Sequence, residues 1–409
     1  MKQKEIAVGI ARAAITACLP DRIVAEGLRD LPSCRGDLIV VAIGKAAYTM
    51  AKAARAILGD RITKGIVITK YHHLQGDIPG FVLCEAGHPV PDENGLSATQ
   101  QVLSMTEGLS EEDLVLFLVS GGGSALFETV SCDLGALKAL TEQLLSCGAS
   151  IEEINTVRKH LSDVKGGRFA AHCAPAKVYA ILLSDVLGDR ADAIASGPSV
   201  ADPTTCEDCR KILTTYGIQP PQEIMALLER ETPKTVPNST YCIGGSVSEL
   251  CHTAAREAEA LGYRPILLTD QLTCEAREAG RFLASEAITH RGMGERIAFI
   301  AGGETVVYLR GKGLGGRNQE LALAAALVLE GLSDVCLIAV GSDGTDGTTD
   351  AAGGVVDGDS VAVMRQNGID PTEALEQNDS YRALSACDGL VITGPTGTNV
   401  NDVAIVLVN

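Results

Sequence analysis

Apolar runs of strand length recur along the chain. They are DLIVVAI from Asp37, GIVIT from Gly65, LVLFLV from Leu114, VYAILL from Val178, PILLT from Pro265, RIAFIA from Arg296, TVVYL from Thr305, VCLIAV from Val335, GLVIT from Gly389 and VAIVLV from Val403. Between most of them lie segments rich in Ala, Leu and Glu that read as helices. A strand that is apolar on both faces has no side left for water, so this alternation predicts largely parallel sheets covered by helices on both faces. The expected fold class is α/β, doubly wound, in three layers.

A chain of 409 residues is too long for one ordinary core. The stretch ETPKTVPNST, residues 231–240, combines Pro, Thr, Ser and Asn without apolar periodicity and reads as a linker. The domains expected are therefore residues 1–235 and residues 236–409.

Hydrophobic residues at 46% and charged residues at 21% are the balance of a packed globular protein. A formal net charge of −18 repels nucleic acid and anionic lipid, so neither is expected as a partner. An anionic substrate then requires a locally basic pocket. The first segment, MKQKEIAVGIARAAITACLPD, reads as an amphipathic helix and not as a signal peptide. No run is long and apolar enough to predict a membrane span. Thirteen cysteines, an odd number scattered mostly singly, fit a reducing, cytoplasmic setting. Cys206 and Cys209 form the only Cys-x-x-Cys, and with no second pair and no His at finger spacing they predict neither a metal site nor redox chemistry.

The candidate chemistry lies in strand-to-helix loops, where open α/β sheets bind ligands. Lys45 follows Gly44 at a strand end and opens a helix, where a cation is misplaced unless an anion is bound. Ser120, Gly121, Gly122, Gly123 and Ser124 form a loop whose three glycines suggest close approach to phosphate oxygens. Asp185 and Asp189 follow the next strand and suit Mg²⁺ or a substrate hydroxyl. Gly311, Gly313 and Gly316 spell Gly-x-Gly-x-x-Gly after a strand and before a helix, with Gly315 between them. The flanking Arg310 and Lys312, and Arg317, Asn318, Gln319 and Glu320 in the first helical turn, argue for a highly charged ligand over a dinucleotide. Asp343, Asp346 and Asp350 lie in a further Gly-Thr loop, and Thr398 and Asn399 in a polar turn before the last strand.

The blocks VAIGKAA, EAGHPVPDENG, VSGGGSALFE, INTVRKHLSDVKGG, SDVLGDRADAIASGP, GGETVVYLRGKGLGGRNQE, GSDGTDGTTDAAG and TGPTGTNVND, in this order, resemble the glycerate 2-kinase family with a C-terminal MOFRL domain. The resemblance implies a Rossmann-like N-terminal domain with a mostly parallel sheet and a smaller α/β C-terminal domain, whose MOFRL region spans about 296–403. It also implies transfer of phosphate from ATP to the 2-hydroxyl of D-glycerate with Mg²⁺. The family's essential lysine and arginine map onto Lys45 and Arg317, one in each expected domain, which implies a site in the interdomain cleft.

Within that scheme Arg158 or Lys165 and the Gly121–Gly123 amides meet the substrate carboxylate. Asp189 accepts the hydroxyl proton, and Asp185, Asp343 or Asp346 holds metal. Gly313, Gly315, Gly316, Asn318, Thr398 and Asn399 complete the nucleotide and substrate contacts. Two other readings remain open: an NAD(P)H-dependent hydroxypyruvate reductase, and a non-catalytic small-anion binding protein. A homo-oligomer is compatible with the sequence, which does not specify one.

Overall fold

A computed structural model describes residues 3–409. The chain divides into two compact units, one of Ile23–Val186 and Arg190–Gly244, the other of Met1–Arg22, Leu187–Asp189 and Gly245–Asn409. The division differs from the expected one at both ends of the first domain. Strand 239–245 lies at the edge of the first unit's sheet, so the chain changes units after the predicted linker. The helix Gln3–Ala17 packs on elements of the second unit because it buries Ala7, Ile10, Ala11 and Ala14 there.

The first unit is built on β1 (Leu38–Ile43), β2 (Lys64–Lys70), β3 (Phe81–Ala86), β4 (Leu114–Val119), β5 (Lys177–Leu183) and β6 (Ser239–Gly245). Their order in the sheet is β3-β2-β1-β4-β5-β6, and the pairings from β3 through β5 are parallel. β1 and β4 are buried at every position, as continuous apolar runs demand. Phe117, Phe127 and Phe169 meet with ring centroids 4.9–5.8 Å apart on one face. Four helices, Leu134–Ser146, Ile151–Leu161, Cys206–Thr215 and Gln222–Leu228, enclose a separate apolar cluster of this unit.

The second unit holds β7 (Arg264–Leu272), β8 (Ile297–Gly303), β9 (Val335–Gly341), β10 (Gly353–Asp357), β11 (Leu390–Val391) and β12 (Asp402–Val408), ordered β11-β10-β9-β12-β8-β7. This sheet is mixed. β7 and β8 are parallel, while β12 inserts antiparallel between β8 and β9 and β10 runs antiparallel to β9. TVVYL, expected as a strand, makes a single bridge at Val306, and Val306, Tyr308 and Leu309 are exposed.

The helices Ala276–His290 and Arg317–Leu329 cover one face of this sheet and are joined by a buried ion pair. Arg277 is 2% exposed, and its Nε and Nη2 each lie 3.1 Å from Glu320 Oε1. Asn378 Nδ2 donates to Glu320 Oε2 at 2.8 Å, and Asn378 Oδ1 accepts from the amides of Arg310 and Gly311 at 2.7 and 3.0 Å. The glycine loop is thus fastened to the helix through one amide side chain. Removing one partner of such a pair strands a buried charge, so Arg277→Ala is expected to lower unfolding stability by about 3–5 kcal/mol in urea titrations.

Candidate active site

In the first sheet the strand order reverses between β1 and β4, the point at which an open α/β sheet leaves a crevice beyond its carboxyl ends. The loops that follow these two strands are locked together there. Ser120 Oγ donates to Ile43 O at 3.1 Å and accepts from Ala46 N at 3.0 Å, and Lys45 N donates to Gly121 O at 2.9 Å. Gly44 has φ +107, and a Cβ there would stand 2.3 Å from Ser120 Oγ. Only glycine permits this turn.

The Lys45 side chain leaves this turn toward Gly122, where an added Cβ would lie 3.3 Å from Lys45 Cε. Among the described residues its half-buried ammonium makes no hydrogen bond or salt bridge. His88 stands against the same glycine, with Cδ2 3.0 Å from that Cβ position. Burial, and then the charge of Lys45, hold the His88 imidazole below its ordinary pKa, which favours the neutral ring. Asp185 closes the other side: a Cβ on Gly121 would stand 2.4 Å from its Oδ2. Lys45, Asp185 and the loop Gly121–Gly123 are therefore brought together. His88 joins them although no local pattern in the sequence singled it out.

Ser124 Oγ pairs with Ser196 Oγ at 2.9 Å, and Arg158 Nη2 donates to Ser124 O at 2.9 Å and lies 3.7 Å from Glu128. Lys165 does not reach a ligand site. It is fully buried, with Nζ 2.7 Å from Glu128 Oε2 and donating to Phe127 O at 2.9 Å. Burial pulls its ammonium down to about 8 against the opposing pull of Glu128. The expectation that Lys165 binds substrate is corrected on this ground: its charge is spent inside the core.

In the second unit a cavity of about 860 Å³ is walled by Val306, Leu309, Gly313, Gly315 and Arg317, among others. Arg317 opens its helix, and Asp402 and Glu304 hold its guanidinium. Nε and Nη2 lie 2.5 and 3.1 Å from the two Asp402 oxygens, and Nη1 lies 3.2 Å from Glu304 Oε1. Burial would weaken this base, but the Asp402 carboxylate outweighs it and leaves Arg317 more firmly protonated than usual.

The other residues of the first helical turn face inward, contrary to expectation. Asn318 N and Gln319 N donate to Asp346 Oδ1 and Oδ2 at 3.2 and 2.8 Å, and Asn318 Nδ2 also reaches Asp346 at 3.4 Å. Glu320 is the partner of Arg277. Asp346 thus caps the helix, each of its oxygens accepting from a backbone amide. Asn318 is 2% exposed and packs beside Asp346. Cβ atoms on Gly313, Gly315 and Gly316 would come within 2.1–2.5 Å of Asp379, Ser380 and Asp346. The glycines serve close packing of chain on chain.

Asp189 Oδ2 accepts from Ser246 Oγ at 2.9 Å. It falls in the second unit, whereas Asp185 falls in the first. Thr398 Oγ1 donates to Cys18 O at 2.7 Å in a buried contact, and is corrected from ligand contact to a tie holding the end of the first helix. Asn399 is exposed and accepts from Asn401 N at 3.2 Å. Asp343 is half-buried and accepts from Thr345 N at 2.9 Å. Arg310 pairs with Glu275 and Glu376.

Burial pushes the Asp346 carboxyl up to about 6, against the lowering effect of the Gln319 and Asn318 amides. Its value in the unfolded chain is near 4. Folding therefore favours the protonated form, and the stability this group contributes is complete below about pH 4 and lost as pH rises through about 6. Urea titrations at stepped pH are expected to show a fall in stability across that window in the wild type and a flatter profile in Asp346→Asn. An equal fall in both would contradict the assignment.

A family model described as a domain of unknown function (DUF4147) matches residues 6–229, and the MOFRL family model matches residues 297–402. The D-glycerate 2-kinase of Thermotoga maritima is 51% identical over 411 residues, covering 99% of this chain and 98% of that protein. The glycerate 2-kinase of Pyrococcus horikoshii is 42% identical over 405 residues, covering 95% of this chain and 90% of that protein. The crystal structure of a glycerate kinase from Thermotoga maritima matches with a TM-score of 0.95 and 50% identity, over 99% of both chains.

Proposed function

This chain belongs to the glycerate kinase family that joins a DUF4147 domain to a C-terminal MOFRL domain, and we propose that it phosphorylates D-glycerate at the 2-hydroxyl from ATP with Mg²⁺. The observation that carries this reading is the Lys45 ammonium, which has no salt bridge among the described residues. It stands at the switch point of the β3-β2-β1-β4-β5-β6 sheet, in a chain 51% identical to a D-glycerate 2-kinase.

Phosphoryl transfer asks for alignment and charge neutralisation more than for covalent chemistry. Lys45 supplies a full charge, and Arg317, already oriented by Asp402, supplies directed N–H groups to phosphate oxygens. Arg158 and the Gly121–Gly123 amides receive the substrate carboxylate. Asp189, oriented by Ser246, accepts the C2 hydroxyl proton. Gly313, Gly315 and Gly316 wall the nucleotide cavity, and Asn399 remains an exposed contact to the ligand.

Mg²⁺ prefers carboxylate oxygens, and the Asp185 side chain against the glycine loop fits it. Asp343 offers a second carboxylate in its own unit, whereas both oxygens of the buried Asp346 already accept from backbone amides. When bound, the metal supplies charge neutralisation of the phosphates.

A reductase would lay a dinucleotide pyrophosphate on the helix start after Gly-x-Gly-x-x-Gly. Asp346 occupies those amides, which counts against that reading. No helix among the described residues is long and apolar enough to cross a membrane. The described cysteines are all free thiols, which supports a cytoplasmic setting.

The test is a mixture of purified protein, MgATP and D-glycerate, with the product followed through enolase alone. A signal that requires both substrates is expected. NADH oxidation with hydroxypyruvate in its place would favour the reductase, and tight ligand binding without ADP would favour the binding protein. Lys45→Met and Arg317→Ala are each expected to lower kcat about 10²–10³-fold while remaining folded. Near-normal turnover in either would remove that residue from the scheme.

A further inference from the structure

The helical part of the first unit brings together three groups that lie far apart in sequence. His160 is in the last turn of Ile151–Leu161, Cys206 opens Cys206–Thr215, and Glu231 follows Gln222–Leu228. One ligand atom from each lies within 4.8 Å of the other two. We propose that His160, Cys206 and Glu231 bind a divalent transition-metal ion of the zinc type.

The imidazole carries the argument. The His160 side chain is fully buried, and its Nδ1 stands 3.0 Å from Thr156 O, a carbonyl that can only accept. The proton therefore sits on Nδ1, and Nε2 is left with its lone pair. Nε2 is buried and has no hydrogen-bond partner among the described residues, with Glu231 Oε2 3.8 Å away. A buried acceptor without a donor is costly in a folded protein, and a metal ion removes that cost. The Nδ1–H to carbonyl bond is also the arrangement that orients ligating histidines at zinc sites.

Nitrogen, sulfur and carboxylate oxygen form a donor set suited to zinc, and three protein ligands leave one position for solvent. Tetrahedral coordination needs donor atoms about 3.4–3.6 Å apart, given metal–ligand bonds of about 2.0–2.3 Å. The half-exposed Glu231 side chain can make that contraction. Two features oppose it. Lys234 Nζ lies 2.9 Å from Glu231 Oε2, and burial with Glu231 pushes the Cys206 thiol up to about 11, so binding must displace a proton and a lysine. Cys209 is not a ligand: its Sγ faces Thr156 O at 3.7 Å, inside the apolar cluster. The donors thus come from three separate segments and not from the Cys-x-x-Cys spacing. Their joint role is to tie those segments together, independently of the kinase reaction.

The experiment strips the full-length protein with chelator, loads it with Zn²⁺, and measures metal retained after gel filtration. Co²⁺ serves as a spectroscopic probe for thiolate-to-metal charge transfer. The wild type is expected to retain stoichiometric zinc and to show the cobalt–thiolate band. Cys206→Ser should abolish the band, Glu231→Gln should weaken affinity tenfold or more, and Lys234→Met should tighten it. If Cys206→Ser fails to fold, the two surface variants decide by their opposite signs. No zinc retained by the wild type overturns the site. So does retention that neither Glu231→Gln nor Lys234→Met alters, which would place the metal on other thiols.

Discussion

The carboxylate of Asp346 sits on the first amides of the helix Arg317–Leu329, and the candidate site of the second unit is arranged around that contact. A buried aspartate is unfavourable by itself, and the helix amides and the nearby Arg317 charge offset only part of that cost. Once the cap is in place, Gly316 must lack a side chain, since a Cβ would meet Asp346 Cγ at 2.2 Å. Asn318 and Gln319 are turned to the interior to complete the cap. Arg317 is left at the cavity wall, with Asp402 fixing its plane.

The two cations of the scheme are therefore unlike. Lys45 makes no ion pair among the described residues and stands beside glycine amides, so it offers nearly a whole unit of charge. Arg317 is largely neutralised by Asp402 and Glu304, so what it offers is direction. On a chain with net charge −18, an unneutralised cation at a strand end is the stronger attraction for an anion.

Much of this was legible in the sequence. Continuous apolar runs identified β1, β4, β8, β9 and β12 because strands buried on both faces admit little else. β3 and β6 escaped notice because as edge strands they carry exposed and polar residues, and TVVYL misled because Val306, Tyr308 and Leu309 are exposed. Lys45 and the triple glycine stood out because each is locally unfavourable, and the structure brings them together. The intramolecular partners of Lys165, Asn318 and Asp346 could not be read from the sequence, because Glu128, Asp346 and the helix amides are distant from them along the chain. His160 and Glu231 beside Cys206 were invisible for the same reason.

The role proposed for Arg317 depends on the geometry that Asp402 gives it. The most direct measurement is kcat of Asp402→Asn at saturating MgATP and D-glycerate, in protein whose circular dichroism matches the wild type. A fall of roughly tenfold or more is expected, in keeping with the cost of a misplaced catalytic group. An unchanged kcat would contradict it.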